Sequence, residues 1–149
     1  MAYRFRLETV LVYRRNLEEQ AQLALAREIQ ILAEEQSLLV DLHDTRQRIA
    51  EDFEEKKKQQ MGAPLFSFYM DSIRRKEREI AAQSDVIAKQ QAIVDEARGE
   101  LGERVKSRKV IEKAREKDYR KYLQEFLRNE QKEGDEQAIL RAGRDDNLF

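Results

Sequence analysis

The sequence contains no cysteine and no tryptophan, and it has only one proline and one histidine in 149 residues. A chain without cysteine forms no disulfide bond, no thiolate metal site and no cysteine nucleophile. It also lacks an apolar run of the length that a membrane-spanning helix needs, and charge interrupts the N-terminal Tyr3-Arg4-Phe5-Arg6 where a signal peptide would be apolar. These absences favour a reducing compartment, and we expect a cytoplasmic protein.

The charged residues are abundant but balanced. They make up 40% of the chain, with 29 basic and 30 acidic residues and a net charge of -1. Such a composition is typical of long helices with solvent-exposed faces. Disorder is the competing interpretation, but balanced charge and periodic apolar residues favour order. The net charge gives no overall attraction to nucleic acid or to anionic lipid.

A seven-residue repeat of aliphatic residues occupies the second half of the chain. Its members are Ile73, Ile80, Ile87, Val94 and Leu101. A spacing of seven keeps these side chains on one narrow strip of a helix that winds around a partner helix. The repeat therefore predicts one strand of a coiled coil.

The first part of the chain supplies the partner helix. No proline or glycine occurs between residues 5 and 60, and most residues there are strong helix formers. Aliphatic residues recur at seven-residue spacing as Val10, Leu17, Ala24, Ile31 and Leu38. They lie in a stripe that is wider than a two-position seam, which indicates either a tightly packed partner helix or a second partner.

Gly62 and Pro64 interrupt the helical pattern between these two repeats. Proline lacks a backbone donor and disfavours a helical conformation in the residue before it. We therefore predict a first helix over about residues 5–60, a turn at 61–64, a second helix over about 65–142 and a frayed tail at 143–149. The predicted fold is all-α: a single coiled-coil domain over residues 1–149, in which two long helices form an antiparallel hairpin and the second overhangs at the C-terminus.

A reversal at Gly62–Pro64 also predicts which residues face each other. The predicted pairs are Phe53–Ile73, Leu32–Val94, Arg14–Glu112, Glu18–Arg108 and the poorly matched Arg46–Ile80.

The sequence offers little for catalysis or for metal binding. His43 lies beside Asp41 and Asp44, but these neighbours diverge around a helix and do not converge as ligands four residues apart would. Pairs of acidic residues are present, yet a two-helix hairpin provides no cleft in which a carboxylate is desolvated. No glycine-rich phosphate loop occurs. We expect no enzymatic activity, no metal and no cofactor.

Positive charge is concentrated near both ends of the chain. Residues 104–128 contain ten lysines or arginines and four acidic residues. In the predicted hairpin this segment lies opposite Arg4, Arg6, Arg14 and Arg15. Such a surface suits an acidic protein surface or a nucleic-acid backbone, and a merely solvated face is an equal alternative. We expect no nucleic-acid binding, because Tyr119, Tyr122 and Phe126 have the spacing of a packing stripe and not of a base-stacking platform.

Two apolar clusters are further candidates for binding. One is the overhanging face with Leu123 and Phe126, which has no predicted intramolecular partner. The other follows the turn and includes Phe66, Phe68 and Tyr69. These aromatic residues either bind a partner or cap the end of the hairpin.

Three segments resemble the FliJ family of flagellar export proteins. They are Phe5–Arg14 (FRLETVLVYR), Glu112–Lys117 (EKAREK) and Glu133–Ala138 (EGDEQA), and a long uninterrupted helical body lies between the first two. Ala114 and Gly134 stand where the family tends to carry leucine. The resemblance covers nearly the whole chain.

This resemblance implies a non-enzymatic component of the flagellar type III protein export apparatus, and hence a role in flagellum assembly and motility. Proteins of this family form a stalk-like antiparallel coiled coil that inserts into the hexameric export ATPase and promotes its activity. They also contact the regulator of that ATPase, the export-gate membrane protein and export chaperones. We expect a monomer, without membrane insertion, at the inner face of the cell membrane at the flagellar base.

The resemblance and the charge pattern together suggest two sets of binding residues. Those expected to face the ATPase ring are Arg4, Arg6, Arg14, Arg15, Lys117, Arg120 and Lys121. Those expected to face other export components are Phe66, Phe68 and Tyr69. The stalk protein of a virulence type III secretion system is the nearest alternative, and a generic coiled-coil scaffold or homodimeric tether is the alternative from a different class.

Overall fold

The structure is a computed structural model of the chain, and it describes residues 2–146. Two α-helices contain almost all of these residues: α1 spans Glu8–Lys57 and α2 spans Ala63–Asp146. Residues 58–62 connect them, and no strand occurs in the described part of the chain. The prediction of an all-α hairpin of two long helices is confirmed.

The second helix starts earlier and ends later than its predicted bounds. Pro64 lies in the first turn of α2, where its missing amide proton costs no hydrogen bond, so the helix includes it. The amide of Phe66 donates to the carbonyl oxygen of Gly62 at 3.1 Å. At the other end α2 continues to Asp146, into the segment 143–149 for which we expected fraying, and residues 147–149 lie outside the described part.

The packing divides the chain into two units, and each contains a segment of α1 and a segment of α2. Unit 1 is Met1–Glu18 with Arg104–Phe149, and unit 2 is Glu19–Glu103. That residues 1–149 behave as a single coiled-coil domain stays a prediction.

The aliphatic repeat of α2 faces α1 in unit 2. Ile73, Ile80 and Ile87 are half-buried, Leu101 is half-buried, and Val94 is only 1% exposed. The seven-residue spacing predicted this row correctly, because one aliphatic residue per heptad is the minimum that a coiled-coil seam requires. We call the buried rows between the helices the seam.

The seam of α1 lies one residue after the repeat that begins at Val10, in the row that the predicted pair Leu32–Val94 placed opposite α2. Leu25, Leu32 and Leu39 are half-buried, whereas Ile31 and Leu38 are exposed. The apolar stripe of α1 is wide enough for either row to face α2, so packing and not spacing selects the buried one. Unit 2 therefore leaves an aliphatic row uncovered beside its seam.

The facing pairs of unit 2 are displaced from the predicted ones. The ring of Phe53 stacks on Tyr69, with 5.3 Å between centroids, which is four residues nearer the turn than the predicted partner Ile73. The Nη2 atom of Arg46 lies 2.8 Å from Oε1 of Glu77, so the predicted pairing of Arg46 with Ile80 is wrong. The displacement follows from α1 ending at Lys57, before the predicted turn.

Unit 1 contains one of the two predicted ion pairs. Arg108 is paired with Glu18, as expected. Arg14 instead donates from Nη1 to the carbonyl oxygen of Ser107 at 2.7 Å. Its neighbour Arg15 takes the predicted place beside Glu112, at 3.3 Å.

Two buried glutamines interrupt the aliphatic seam of unit 2. The Nε2 atom of Gln83 donates to the carbonyl oxygen of Glu35 at 2.9 Å and to its Oε2 atom at 2.5 Å. Gln90, one heptad later, makes the same two contacts with Glu28, at 3.0 and 2.6 Å. An aliphatic seam tolerates a slide of one heptad, whereas such a slide would leave one of the two glutamines without a glutamate, because the two pairs are themselves one heptad apart. We infer that the two glutamines fix the alignment of α1 with α2.

We expect Gln83→Ala to lower the free energy of unfolding by about 1–2 kcal/mol, because the substitution leaves a half-buried carboxylate without its donor. Gln91→Ala is the matched control, since Gln91 is exposed and bonds only within α2, to Asp95 at 3.1 Å. That control is expected to change the free energy by less than about 0.5 kcal/mol. Urea titration followed by circular dichroism measures both, and equal losses would contradict the assignment.

Candidate functional site

In unit 1 the segment before α1 packs on α2 through Tyr3. The ring of Tyr3 meets Tyr119 edge-on at 5.0 Å and lies 5.2 Å from the ring of Tyr122. Its hydroxyl donates to Oδ2 of Asp118 at 2.9 Å. The rings of Tyr122 and Phe126 stack at 6.2 Å. These contacts are those of a packing stripe, as the spacing predicted.

The same contacts change the acidity of Tyr3. Desolvation beside the neighbouring rings, followed by the hydrogen bond to Asp118, raises the pKa of Tyr3 above its usual value of 10.0. The Tyr3 hydroxyl, which is protonated at neutral pH as tyrosines ordinarily are, links the segment before α1 to α2 through Asp118.

A groove of about 600 Å³ opens beside these rings. Four cationic, two acidic and two tyrosine side chains line it: Tyr3, Arg15, Lys109, Glu112, Lys113, Arg115, Glu116 and Tyr119. Because cations outnumber carboxylates, the groove favours an anionic group, and the tyrosine rings offer an apolar contact beside it.

Ion pairs connect the walls of this groove. Arg108 bonds to Glu18 on α1 and to Glu112 on α2, where Nη1 lies 2.7 Å from Oε2. Arg115 lies 3.5 Å from Glu8. The hydrogen bond from Arg108 is the main cause that lowers the pKa of Glu112 below its usual value of 4.5. Glu112 is therefore ionised at neutral pH and orients the two arginines.

A row of exposed lysines continues along α2. Lys109, Lys113, Lys117 and Lys121 follow one another at intervals of four residues, and Arg120 adjoins the last. Residues four apart share one strip of a helix, where like charges destabilise it. We call these five residues the cationic face. A strip of repelling charges is typical of a surface that binds an anionic partner.

The predicted ring-facing residues all belong to unit 1, but they differ in accessibility. Six of them are exposed: Arg4, Arg6, Arg15, Lys117, Arg120 and Lys121. Arg14 is half-buried and directs its guanidinium to the carbonyl oxygen of Ser107. Seven residues of the groove and cationic face were not among the predicted ones: Tyr3, Lys109, Glu112, Lys113, Arg115, Glu116 and Tyr119. The four-residue spacing of the lysines was readable from the sequence, whereas the position of Tyr3 was not.

The aromatic residues after the turn serve partly to close the hairpin. Tyr69 is buried, stacks on Phe53 and donates from its hydroxyl to Oδ2 of Asp52 at 2.6 Å. Phe66 lies 5.4 Å from Phe53, and Nζ of Lys57 lies 4.1 Å from the centre of the Phe53 ring. The capping interpretation therefore holds for Tyr69.

Phe68 differs from Tyr69 in exposure. It touches Tyr69 edge-on at 5.9 Å but is 63% exposed. Leu65, three residues earlier on the same strip of α2, is also exposed, and so is Phe66 on the other flank of Tyr69. Leu65 and Phe68 therefore offer a surface to a partner on one flank of Tyr69, whereas Phe66 packs against Phe53.

The hydrogen bond to Asp52 raises the pKa of Tyr69 above its usual value of 10.0. We expect Asp52→Ala to bring the ionisation of Tyr69 to lower pH, measured by NMR of tyrosine labelled with ¹³C at Cζ. A raised folded-state pKa gives stability that is present below pH 10 and is lost as the pH rises through the folded value. The wild type should therefore lose more stability above pH 10 than Asp52→Ala does.

Asp71→Ala is the control, because Asp71 is exposed and lies near Tyr69 on α2. It should leave the Tyr69 signal unchanged. Identical midpoints for Tyr69 in the two variants would show that the bond to Asp52 does not set this acidity.

The other candidates from the sequence do not form a site. His43 is exposed, and within residues 2–146 no three histidine, cysteine, aspartate or glutamate side chains are grouped to hold a metal ion. Neither helix, over its described residues, includes a stretch that is long and apolar enough to span a membrane.

A comparison with protein families identifies the relatives of this chain. The model of the family described as flagellar FliJ protein matches residues 3–147. The chain belongs to the FliJ family. The match includes all three segments on which the resemblance was based. FliJ-family membership makes the chain a component of type III protein export. No curated protein sequence matches it significantly.

A solved structure shares the FliJ-family chain's fold. The structure described as a homologue of YscO from Chlamydia trachomatis superposes with a TM-score of 0.57. The two sequences are 20% identical, and the alignment covers 93% of this chain and 94% of the other. At this identity the likeness shows the two-helix fold.

Proposed function

We propose that this FliJ-family chain is the stalk of the export ATPase, and that the cationic face contacts the hexameric ring and promotes its assembly and ATP hydrolysis. The row of four lysines beside the groove of unit 1 carries this proposal. Repulsion along such a row weakens the isolated helix, so an anionic partner that neutralises it gains binding energy.

The contact is electrostatic in its first stage. Exposed lysines and arginines steer an acidic surface into contact, and this attraction is screened over about 8–10 Å at physiological salt. Arg4 and Arg6, which are also exposed, extend the positive charge along the N-terminal segment. The groove between Tyr3 and Tyr119 then receives an acidic side chain of the ring.

A second surface joins the stalk to other export components. Leu65 and Phe68 are exposed large apolar residues three positions apart on one strip of α2, and Phe66 between them in sequence is also exposed. Adjoining apolar residues on a surface favour protein contacts. We propose that they bind the export-gate membrane protein or an export chaperone, and that the chain is held at the inner face of the membrane through such partners.

The proposal is tested by adding the purified chain to its cognate export ATPase. We expect the rate of ATP hydrolysis to rise, and we expect the rise to shrink as salt increases from about 50 to 500 mM, because the contact is between charges. An ATPase rate that is the same with and without the chain, at low salt and with the ring assembled, would refute the stalk function.

A further inference from the structure

Unit 2 has an exposed aliphatic surface that neither the hairpin nor the proposed function uses. Ile31 and Leu38 on α1, with Val86 and Ile93 on α2, are 40–47% exposed. We call these four residues the aliphatic patch. On each helix the two members are seven residues apart, and every member directly precedes a seam residue.

The four residues lie on one side of the helix pair. In an antiparallel coiled coil, the residues that directly precede the seam on both helices flank the same edge. Unit 1 gives a direct example, because Leu17 and Ser107, which precede the paired Glu18 and Arg108, line one groove together. The same relation in unit 2 makes the aliphatic patch continuous across α1 and α2.

Opposite charges border the two edges of the patch. Arg27 and Glu34 follow the α1 edge, and Lys89 and Glu96 follow the α2 edge; all four are exposed. Phe53 stacks on Tyr69, so these two residues lie at the same level of the hairpin. Counting the same number of residues back from Phe53 along α1 and forward from Tyr69 along α2 reaches Glu34 and Lys89, to within one residue. Glu34 and Lys89 therefore lie at the same level. The same count brings Arg27 level with Glu96. Each level therefore carries a positive and a negative charge on opposite edges.

We propose that the aliphatic patch binds a second copy of this chain, related by a two-fold axis parallel to the helices. Such an axis lays α1 of one copy over α2 of the other at the same level. Ile31 then meets Ile93 of the partner subunit, and Leu38 meets Val86 of the partner subunit. Glu34 faces Lys89 of the partner subunit, and Arg27 faces Glu96 of the partner subunit.

The charges select this arrangement over the other two-fold arrangement. A two-fold axis perpendicular to the helices, through the centre of the aliphatic patch, would bring the two copies of Glu34 together, and likewise the two copies of Lys89. Like charges in such contacts are unfavourable, whereas the parallel axis gives an opposite partner at both levels. The dimer is a four-helix assembly over unit 2.

This association differs from the monomer that the sequence led us to expect. A contact made of four aliphatic residues and two charged edges per copy is smaller than standard interfaces of about 1,600 Å², so the dissociation constant should be on the order of 10–100 µM. The cationic face belongs to unit 1 and takes no part. The dimer is therefore independent of the proposed contact with the ATPase.

Sedimentation equilibrium of the full chain, from about 5 to 500 µM, tests the proposal. We expect a monomer at low concentration and a dimer at high concentration. Leu38→Ser should raise the dissociation constant at least tenfold, while circular dichroism remains that of the wild type because Leu38 is exposed. A monomer over the whole range would overturn the proposal and assign the patch to a different occupant.

Charge exchange tests the orientation of the two copies. Glu34→Lys and Lys89→Glu should each raise the dissociation constant at least tenfold, and the double variant should restore it, because the pair is re-formed with reversed sign. Asp85→Lys is the control, since Asp85 is exposed on the outer side of α2 and should have no effect. A dimer that Leu38→Ser and Glu34→Lys leave unchanged would overturn the proposal.

Discussion

We expect that a variant with glutamate in place of Lys117, Arg120 and Lys121 no longer stimulates the ATP hydrolysis that the export ATPase carries out. The three side chains are exposed on one strip of α2, and the variant changes the local charge by six units. Attraction to an acidic surface then becomes repulsion, which lowers the association rate steeply at low salt. A fall of at least tenfold in the stimulated rate, measured at a fixed concentration of the chain, is the expected result.

A matched variant separates the position of the charges from their number. Arg48, Arg74 and Arg78 are exposed in unit 2, and their reversal to glutamate changes the net charge by the same amount. This control should stimulate the ATPase as the wild type does. Equal loss in both variants would show that total charge, and not the cationic face, determines the effect.

The largest effect on stability is expected for Val94→Asp. Val94 is 1% exposed in the seam of unit 2. An aspartate at this position would bury a carboxylate among aliphatic side chains, without a cation placed to pair with it. We expect the free energy of unfolding to fall by about 3–5 kcal/mol, measured by urea titration with circular dichroism. Small protein domains have a total stability of about 5–15 kcal/mol, so this loss removes a large part of it and should move the midpoint of the urea titration to a much lower concentration.

Val40→Asp is the control for this substitution. Val40 belongs to the same unit and is 57% exposed, so the new carboxylate remains hydrated. Its effect should stay within about 0.5 kcal/mol. If the two variants lost the same stability, Val94 would not lie between the helices and the hairpin would be incorrect.

The fold was predictable from the sequence because one helix has an unambiguous seam. On α2, Ile73, Ile80 and Ile87 leave a single strip that can be buried, and the structure buries it. On α1, Ile31 and Leu32 are neighbours of similar size, and each starts a valid heptad row. The choice between them depends on contacts with α2, which spacing alone does not contain.

The alignment of the helices was less predictable than their existence. Pro64 was interpreted as a helix stop, whereas a proline in the first helical turn is tolerated, and α2 begins at Ala63. The glutamines that hold the alignment are polar, so a search for aliphatic repeats passed over them. Gln83 and Gln90 nevertheless occupy the second seam position, three residues after Ile80 and Ile87, where a full heptad assignment places them.

The candidate site was partly visible in the sequence. Local charge showed that residues 104–128 are basic, and this required no knowledge of contacts. The contacts of individual side chains were not predictable, because Tyr3 meets Asp118 and Arg14 meets Ser107 across long stretches of sequence. The exposure of individual residues was not predictable either. Phe68 is exposed and its neighbour Tyr69 is buried, although both are aromatic residues near the turn.

We propose that the cationic face of unit 1 touches the export ATPase, and site-specific photo-crosslinking detects such a contact. A benzophenone amino acid at position 121 replaces an exposed lysine of the face, and one at position 48 replaces an exposed arginine of unit 2. With assembled ATPase, illumination should link position 121 to the ATPase and leave position 48 unlinked. A crosslink from position 48 together with none from position 121 would contradict the account.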